Sequence, residues 1–204
     1  MRTRVLTVDA LAPDPGAIAE AAGVIERGGV VAFPTETFYG LAVAALDVAA
    51  VSRLRRIKGR PESRPILVLV DDPARIERFA IVSPHARALI RQHWPGPLTL
   101  VLPAREVVPE SVTAGTGTVG VRQPSHAVAR ALPAAVGAPI TAPSANLTGE
   151  TPPTRADEVV RVFDGLIELV LDGGPSPGGL PSTVLDVTVD PPRVLREGAV
   201  RLGP

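Results

Sequence analysis

The sequence predicts an α/β (α+β) sheet protein, because helical and strand patterns alternate along the chain. The chain has 204 residues, and the 45% that are hydrophobic are enough for one sizeable core. Its 23 prolines and 19 glycines fall mostly between the predicted elements, and no linker is long enough to separate two domains. We therefore expect residues 1–204 to form a single domain.

The N-terminal part of the chain predicts one helix followed by one buried strand. An amphipathic pattern covers residues 15–27 and is closed by Gly28 and Gly29, since glycine commonly follows the last residue of a helix. The apolar residues 30–33 predict a short buried strand, which leads into the polar segment 34–37.

A second helix is predicted over residues 47–57. Asp47 fits its N-cap, and one face carries apolar residues at helical spacing, namely Val48, Val51, Leu54 and Ile57. The apolar run 66–70 predicts a buried strand. Two more helices are expected to begin at cap-proline pairs, which are Asp72-Pro73 and Ser83-Pro84.

The remaining sequence is richer in strands. Ser125 is expected to cap a helix that runs to about residue 135, and Thr154 with Asp157 to cap a helix over 155–163. Extended segments are predicted at residues 98–102, 119–122, 139–141, 167–171, 183–187 and 193–196.

Composition narrows the classes of function. The 21 basic and 21 acidic residues cancel, and aromatic residues are limited to one tryptophan, one tyrosine and four phenylalanines. Both facts disfavour a whole-surface grip on long nucleic acid and a base-stacking platform. The absence of cysteine excludes disulfides, thiol nucleophiles and cysteine-ligated zinc. The three histidines show no ligand spacing, so no protein metal site is predicted.

Neither a signal peptide nor an apolar run of about 18 residues is present, so no membrane association is predicted. We expect a cytoplasmic protein.

Common nucleotide and hydrolase motifs do not explain the chain. Residues 115–120 match G-x-G-x-x-G, but they open an extended segment instead of a helix, so we reject a dinucleotide site. The ATPase phosphate loop, G-x-S-x-G and H-E-x-x-H are absent. The glycine-rich residues 173–179 fit either a phosphate-wrapping loop or a mobile connection.

The loop after the second helix carries three cations within seven residues, namely Lys58, Arg60 and Arg64. Gly59, Pro61 and Pro65 keep this segment from being helical. Cations fixed at the entrance to a buried strand suit an anionic, phosphate-bearing substrate. A solvated basic turn is the alternative.

Other polar groups lie at strand ends. Residues 34–41 offer two threonines and a glutamate, although a helix N-cap box is the alternative. Arg122 ends an apolar strand, where its guanidinium either holds a carboxylate or extends from the sheet edge. Residues 142–146 are small and polar and fit either a ligand contact or a plain turn. Together with Ser182, Thr183 and Arg196, they predict a pocket for phosphates, a carboxylate and a hydroxyl.

Seven of these segments, in this order, resemble motifs of the Sua5/YciO/YrdC family. The resemblance covers residues 15–200, approximately. The segments are Pro34–Leu41, Lys58–Pro61, Pro95–Thr99, Val121–Pro124, Ala142–Asn146, Ser182–Val184 and Leu195–Gly198.

The resemblance implies a YrdC-like fold, in which a twisted mixed sheet with flanking helices encloses a large concave cavity. It also implies a nucleotidyltransferase, an L-threonylcarbamoyladenylate synthase that joins L-threonine, bicarbonate or CO2, and ATP and releases pyrophosphate. The product serves the N6-threonylcarbamoyladenosine modification at position 37 of tRNA. The implied partners are downstream threonylcarbamoyl-transfer proteins, with a weak contact to tRNA also considered. The extra C-terminal Sua5 domain of longer members is not expected here.

The resemblance assigns two sets of site residues. Lys58 and Arg60 are the expected catalytic residues, and Mg2+ is expected to arrive with the ATP phosphates. The ATP-binding set is Lys58, Arg60, Arg64, Thr118, Ser144, Asn146, Pro152 and Arg196. The L-threonine-binding set is Thr35, Arg122, Ala142 and Ser182.

Two positions depart from the family pattern. Arg64 stands where asparagine is frequent, and Leu69 stands where histidine is frequent, so Leu69 cannot supply the hydrogen bond that a histidine would make near the threonine end. Two rival functions are an RNA- or ribosome-binding module without turnover and a related carbamoyl-adenylate enzyme. The second rival is disfavoured because such enzymes are much longer and contain zinc-finger regions.

Overall fold

The computed structural model describes residues 2–202, and within that range it contains two mixed β-sheets with flanking helices. The helices are α1 (Pro15–Glu26), α2 (Val48–Lys58), α3 (Pro84–His93), α4 (Glu110–Thr113), α5 (Ala127–Val136) and α6 (Ala156–Phe163), with a 3-10 helix at Pro73–Arg78. The strands are β1 (Arg4–Thr7), β2 (Val31–Phe33), β3 (Gly40–Ala42), β4 (Val68–Leu69), β5 (Leu98–Pro103), β6 (Thr118–Arg122), β7 (Ile140–Thr141), β8 (Leu169–Asp172), β9 (Thr183–Asp186) and β10 (Arg193–Arg196).

The smaller sheet has the strand order β1-β8-β2-β3, and the larger has the order β10-β9-β5-β6-β4-β7. Parallel pairs join β1 to β8, β2 to β8, β4 to β6 and β5 to β9, while the remaining neighbours are antiparallel. The predicted fold class is therefore confirmed, with two sheets in place of one.

Two hydrophobic cores hold the sheets and helices together. The larger contains Leu54 of α2, Leu100 of β5 and Phe163 of α6, all of them inaccessible to solvent. The smaller lies between α1, α5 and the smaller sheet, and it contains Ile25 and Leu132. Burial of such apolar side chains is the main favourable contribution to folding.

The predicted helices exist, but several details were wrong. Residues 73–78 form a 3-10 helix. Helix α5 begins one residue later than expected, because His126 instead of Ser125 accepts the capping hydrogen bond, from Val128 N. At α6 the capping carboxylate is that of Glu158, which accepts from the backbone N–H groups of Thr154 and Arg155. Val48, expected on the buried face of α2, is 59% exposed.

Three short elements were not predicted: β1, β3 and α4. Strand β1 carries a mixed sequence, RVLT, whose residues are mostly exposed at the sheet edge, so no alternating apolar pattern marks it. Strand β3 and helix α4 are three and four residues long, which is too short for a periodic signal.

Among residues 2–202, no helix is both long and apolar enough to cross a membrane.

Candidate active site

A cavity of about 860 Å3 opens above one face of the larger sheet. Its floor consists of alternate residues on adjacent strands, because successive side chains of a strand point to opposite faces. These floor residues are Thr99 and Val101 on β5, Thr118, Gly120 and Arg122 on β6, and Val184 and Asp186 on β9. The residues between them, such as Leu100, Val119 and Leu185, face the hydrophobic core. One strand face therefore builds the fold while the other builds the site.

Gly120 lies in the middle of this floor, and its lack of a side chain leaves the space above it open. A Cβ atom at this position would lie 3.3 Å from the Thr99 methyl carbon and 3.6 Å from Leu67 Cβ. Both neighbours line the cavity themselves, so a side chain at position 120 would fill space that the cavity now leaves open.

Most of the predicted site residues line this cavity. They are Thr35, Arg60, Thr118, Arg122, Ala142, Ser144, Pro152, Ser182 and Arg196. They come from distant parts of the sequence, and the fold brings them together. Lys58, Arg64 and Asn146 are not on the cavity wall.

Arg122 supplies a buried positive charge at the end of β6. It is 3% exposed, and its Nη1 forms an ion pair with Glu36 Oε1. Burial lowers the pKa of Arg122, and the neighbouring Glu36 carboxylate opposes this effect. Of the two sequence-based alternatives for Arg122, extension into solvent is wrong, since the guanidinium lies inside the protein.

Ser182 is hydrogen-bonded to two polar side chains, Thr99 and Arg196. Its hydroxyl lies 2.9 Å from Thr99 Oγ1, and Arg196 Nη2 donates to Ser182 Oγ at 2.9 Å and to the Ser182 carbonyl at 2.8 Å. Partial burial of its guanidinium and, secondarily, the charge of Arg122 lower the pKa of Arg196. Arg196, predicted for ATP, thus contacts a residue predicted for threonine, so the two predicted sets meet here.

Thr35 forms a tight turn and not a helix cap. Its hydroxyl donates to the Phe38 carbonyl at 2.7 Å and accepts from the backbone N–H groups of Thr37 and Phe38. The turn leads directly into β3 and places Thr35 and Thr37 on the cavity wall. The N-cap alternative for this segment is therefore wrong.

Lys58 is the last residue of α2 and does not belong to the loop in which it was predicted. It is the only lysine in the sequence and is 2% exposed. Its ammonium donates hydrogen bonds to the carbonyls of Ser144 and Asn146, while its own carbonyl accepts from Thr148 N at 3.0 Å. Lys58 therefore fastens α2 to the segment 144–148. Burial, with a smaller contribution from the Arg60 charge, lowers its pKa to about 8.

Arg60 reaches the cavity from the loop after α2. Its guanidinium donates to the Pro65 and Arg64 carbonyls, which fixes it against the loop. Burial, then the charges of Arg55 and Arg64, lower its pKa to about 10. Arg64 itself is exposed, and its carbonyl also accepts from Arg55 Nη2.

The segment after β7 completes the wall. Ser144 lines the cavity, whereas Asn146 is buried and its amide donates to the carbonyls of Leu147 and Glu150. Asn146 thus shapes its own loop in this structure. Leu69, the second departure from the family pattern, lies in the smaller core and not on the cavity wall.

The sequence analysis left several cavity residues unassigned. Thr37, Thr99 and Asp186 line the cavity, and Glu36 lies behind it. Thr99 and Asp186 occupy alternate positions of predicted strands next to assigned residues, so the period of two could have indicated them. Among residues 2–202, no cluster of three or more His, Cys, Asp or Glu side chains is arranged to hold a metal.

Comparison with known proteins identifies the family. The family model for Sua5/YciO/YrdC proteins, described as telomere recombination, matches residues 23–198. This chain belongs to the Sua5/YciO/YrdC family. The family assignment made from the ordered motifs is thereby confirmed.

Two curated relatives are named threonylcarbamoyl-AMP synthase. The one from Pyrococcus abyssi is 47% identical over 183 residues, which covers 89% of this chain and 54% of the relative. The one from Bacillus subtilis is 42% identical over 194 residues, which covers 94% of this chain and 56% of the relative. The chain thus spans about half the length of these relatives.

The fold is also that of a solved family member. The crystal structure of P. abyssi Sua5 complexed with L-threonine has a TM-score of 0.92 and 45% sequence identity. The similarity covers 96% of this chain and 58% of that one.

Proposed function

We propose that this chain is a threonylcarbamoyl-AMP synthase that converts L-threonine, bicarbonate or CO2, and ATP into threonylcarbamoyl-AMP and pyrophosphate. The observation that carries the proposal is one cavity whose wall holds three predicted cations: Arg122 at the end of β6, Arg196 at the end of β10, and Arg60 on the loop after α2. Its volume of about 860 Å3 lies in the upper part of the range for small-molecule sites, about 300–1,000 Å3. The names of the relatives point to the same reaction.

The Arg122 region suits the amino acid. A buried guanidinium attracts a carboxylate strongly, because little water screens the interaction. Ser182 offers a hydroxyl group in the same cavity, Thr35 lines the wall with its hydroxyl engaged in its own turn, and the small Ala142 leaves its backbone accessible to a ligand. We assign the threonine substrate to this region.

The Arg60 region suits the nucleotide. Arg60 is held by backbone carbonyls and keeps further donors for phosphate oxygens. Ser144, Thr118 and Pro152 line the cavity with it. For Lys58 and Asn146 we assign a supporting role, because their polar groups bind the protein's own carbonyls. Arg64, on the exposed part of the loop, is assigned to the phosphates at the entrance.

The reaction needs no protein nucleophile. The neutral amine of threonine forms a C–N bond to CO2 and loses a proton, which gives a carbamate. A carbamate oxygen then attacks the α-phosphorus of ATP, and the bond to the bridging oxygen breaks as pyrophosphate leaves with the electron pair. Arg60 stabilises the charge on the phosphates, and the cavity holds both reactants in position.

Mg2+ would accompany the ATP phosphates and neutralise part of their charge. The cations on the cavity wall fit an ATP molecule that carries Mg2+ on its phosphates, and the carboxylate of Asp186 also lines the cavity. No step of the reaction above is assigned to the ion.

The biological setting is part of the proposal. The product is an activated carbamoyl-adenylate, so its consumer is a transferase that moves the threonylcarbamoyl group to adenosine 37 of tRNA. We place the reaction in the cytoplasm and infer a downstream transfer protein as the partner, with tRNA contact weak at most, since the net charge is zero.

Pyrophosphate release from ATP tests this function. The purified chain is assayed with Mg2+ and bicarbonate, with and without L-threonine. We expect release only when threonine is present. Pyrophosphate release that does not depend on threonine would contradict the proposal. Tight tRNA binding without any pyrophosphate release would contradict it as well and favour the RNA-binding alternative.

A further inference from the structure

Glu36 lies between two cavity-lining threonines but does not itself line the cavity. Its Oε1 accepts a hydrogen bond from Arg122 Nη1, and its side chain is 14% exposed. Its second oxygen, Oε2, is enclosed and has no hydrogen-bond partner in the described part of the chain. Through Oε1 the carboxylate therefore contacts Arg122, while Glu36 itself stays off the cavity wall.

The three nitrogens of the Arg122 guanidinium have different surroundings. Nη1 binds Glu36, and Nε is enclosed without a partner within residues 2–202. Nη2 has no protein partner in that range either, but it is not enclosed, and Arg122 is part of the cavity wall. Glu36 and a bound carboxylate would thus use different nitrogens of the same group and need not compete.

Because the Arg122 guanidinium is buried, its position depends on the counter-charge of Glu36. A guanidinium buried without a counter-charge is strongly unfavourable, and it escapes by moving toward water. Glu36 is the ion-pair partner that the described residues provide for Arg122. It keeps Arg122 charged and fixed before any substrate arrives.

We propose that Glu36 is a positioning residue that holds the Arg122 guanidinium so that its Nη2 side receives the carboxylate of the amino-acid substrate. This inference rests on the proposed function for the identity of the substrate. The contact between Glu36 and Arg122 does not depend on it.

Steady-state kinetics of Glu36→Ala, Glu36→Gln and Arg122→Ala test the proposal. We expect Glu36→Ala to raise the threonine KM about tenfold or more, since hydrogen bonds to charged groups are worth about 1.5–3 kcal/mol. Glu36→Gln keeps the acceptor oxygen and should give a smaller rise. The ATP KM should change less than about twofold, because Arg60 is on a different loop.

A double variant separates positioning from a general structural role. If Glu36 acts through Arg122, adding Glu36→Ala to Arg122→Ala raises the threonine KM no further. An additive effect, equal changes in both KM values, or a lower threonine KM in Glu36→Ala would overturn the proposal. A lower KM would mean that Glu36 competes with the substrate.

A measurement on the free protein distinguishes failure of this inference from failure of the proposed function. The side-chain Nε–Hε NMR signal of Arg122 is compared in wild type and Glu36→Ala, without substrate. We expect a changed or broadened signal in Glu36→Ala and no change in Glu168→Gln, which weakens the partly buried Arg53–Glu168 pair elsewhere. An unchanged Arg122 signal in Glu36→Ala overturns the inference, even if wild type makes threonylcarbamoyl-AMP. Absence of threonine-dependent turnover in wild type overturns the proposed function instead.

Discussion

Lys58 and Arg60 are two residues apart, yet their side chains have different surroundings in the structure. Lys58 ends α2 and binds two carbonyls of the segment 144–148, whereas Arg60 lines the cavity. The sequence predicts both as loop cations that bind phosphate. It could not separate them, because helix α2 extends one residue beyond the predicted end at position 57.

Because Lys58 is the only lysine, its titration can be followed directly. Its side-chain NMR signal should titrate near pH 8, the pKa to which burial and Arg60 lower it, and not near the ordinary value of about 10.4. A midpoint above pH 10 in the folded protein would contradict the prediction that burial outweighs the two carbonyl contacts, which favour the charged ammonium.

The same shift makes stability depend on pH. The folded pKa lies below the unfolded one, so between about pH 8 and pH 10.4 the unfolded chain binds more protons. The cost of burying the charge is therefore complete below pH 8 and is relieved as pH rises through that window. The unfolding free energy of wild type relative to Lys58→Met should rise from pH 8 to pH 10.

Arg60→Ala should reduce pyrophosphate release about a hundredfold, because one well-placed charge donor is worth on the order of 3 kcal/mol in a transition state. Its circular dichroism spectrum should match that of wild type, since Arg60 is not part of the core. Arg56→Ala is the matched control, because Arg56 is an exposed arginine of α2 and is not on the cavity wall. Turnover near the wild-type rate in Arg60→Ala would remove Arg60 from the site.

At the scale of elements, the strands of the larger sheet explain why the site residues meet. Patterns such as LTLVLP in β5 and TVGVR in β6 place apolar residues on the core face, while the cavity face carries Val101 together with polar or small residues, namely Thr99, Thr118, Gly120 and Arg122. Their existence was predictable from apolar runs. Their pairing was not, because β5 contacts β9 across more than eighty residues of sequence.

Short segments were the least predictable part of the site. The turn at Thr35 depends on a hydroxyl that serves three backbone groups, and the position of Ser182 depends on a segment that follows β10. Such contacts arise from tertiary placement and leave no periodic signal in the sequence.

Gly198 is expected to control the position of Ser182. A Cβ atom at residue 198 would lie 2.3 Å from the Pro181 carbonyl oxygen and 2.5 Å from the Ser182 carbonyl carbon. Gly198→Ala must therefore push the two backbones apart. We expect a loss of about 1–3 kcal/mol in the free energy of unfolding and a higher threonine KM.

The exposed neighbour Ala199 provides the control for this prediction. Ala199→Gly changes one methyl group without creating the backbone contact, and it should leave the threonine KM unchanged. If Gly198→Ala has the same free energy of unfolding and the same threonine KM as wild type, the segment after β10 does not position Ser182.

For the whole molecule, the sequence predicted the fold class and the family. Nine of the twelve predicted site residues lie on the cavity wall. The ordered motifs marked strand ends, and strand ends and the loops that follow them are where a sheet presents polar groups. The pairing of Glu36 with Arg122 was not predictable from the sequence, because the two residues are 86 positions apart. The expectation that no C-terminal Sua5 domain follows stays a prediction.

Mass analysis of the product formed from ATP, L-threonine and 13C-bicarbonate tests the central claim most directly. We predict an adenylate with the mass of threonylcarbamoyl-AMP that carries one 13C atom and appears together with pyrophosphate. Formation of plain threonyl-adenylate, or of ADP without a carbamoyl product, would show that the cavity performs a different reaction.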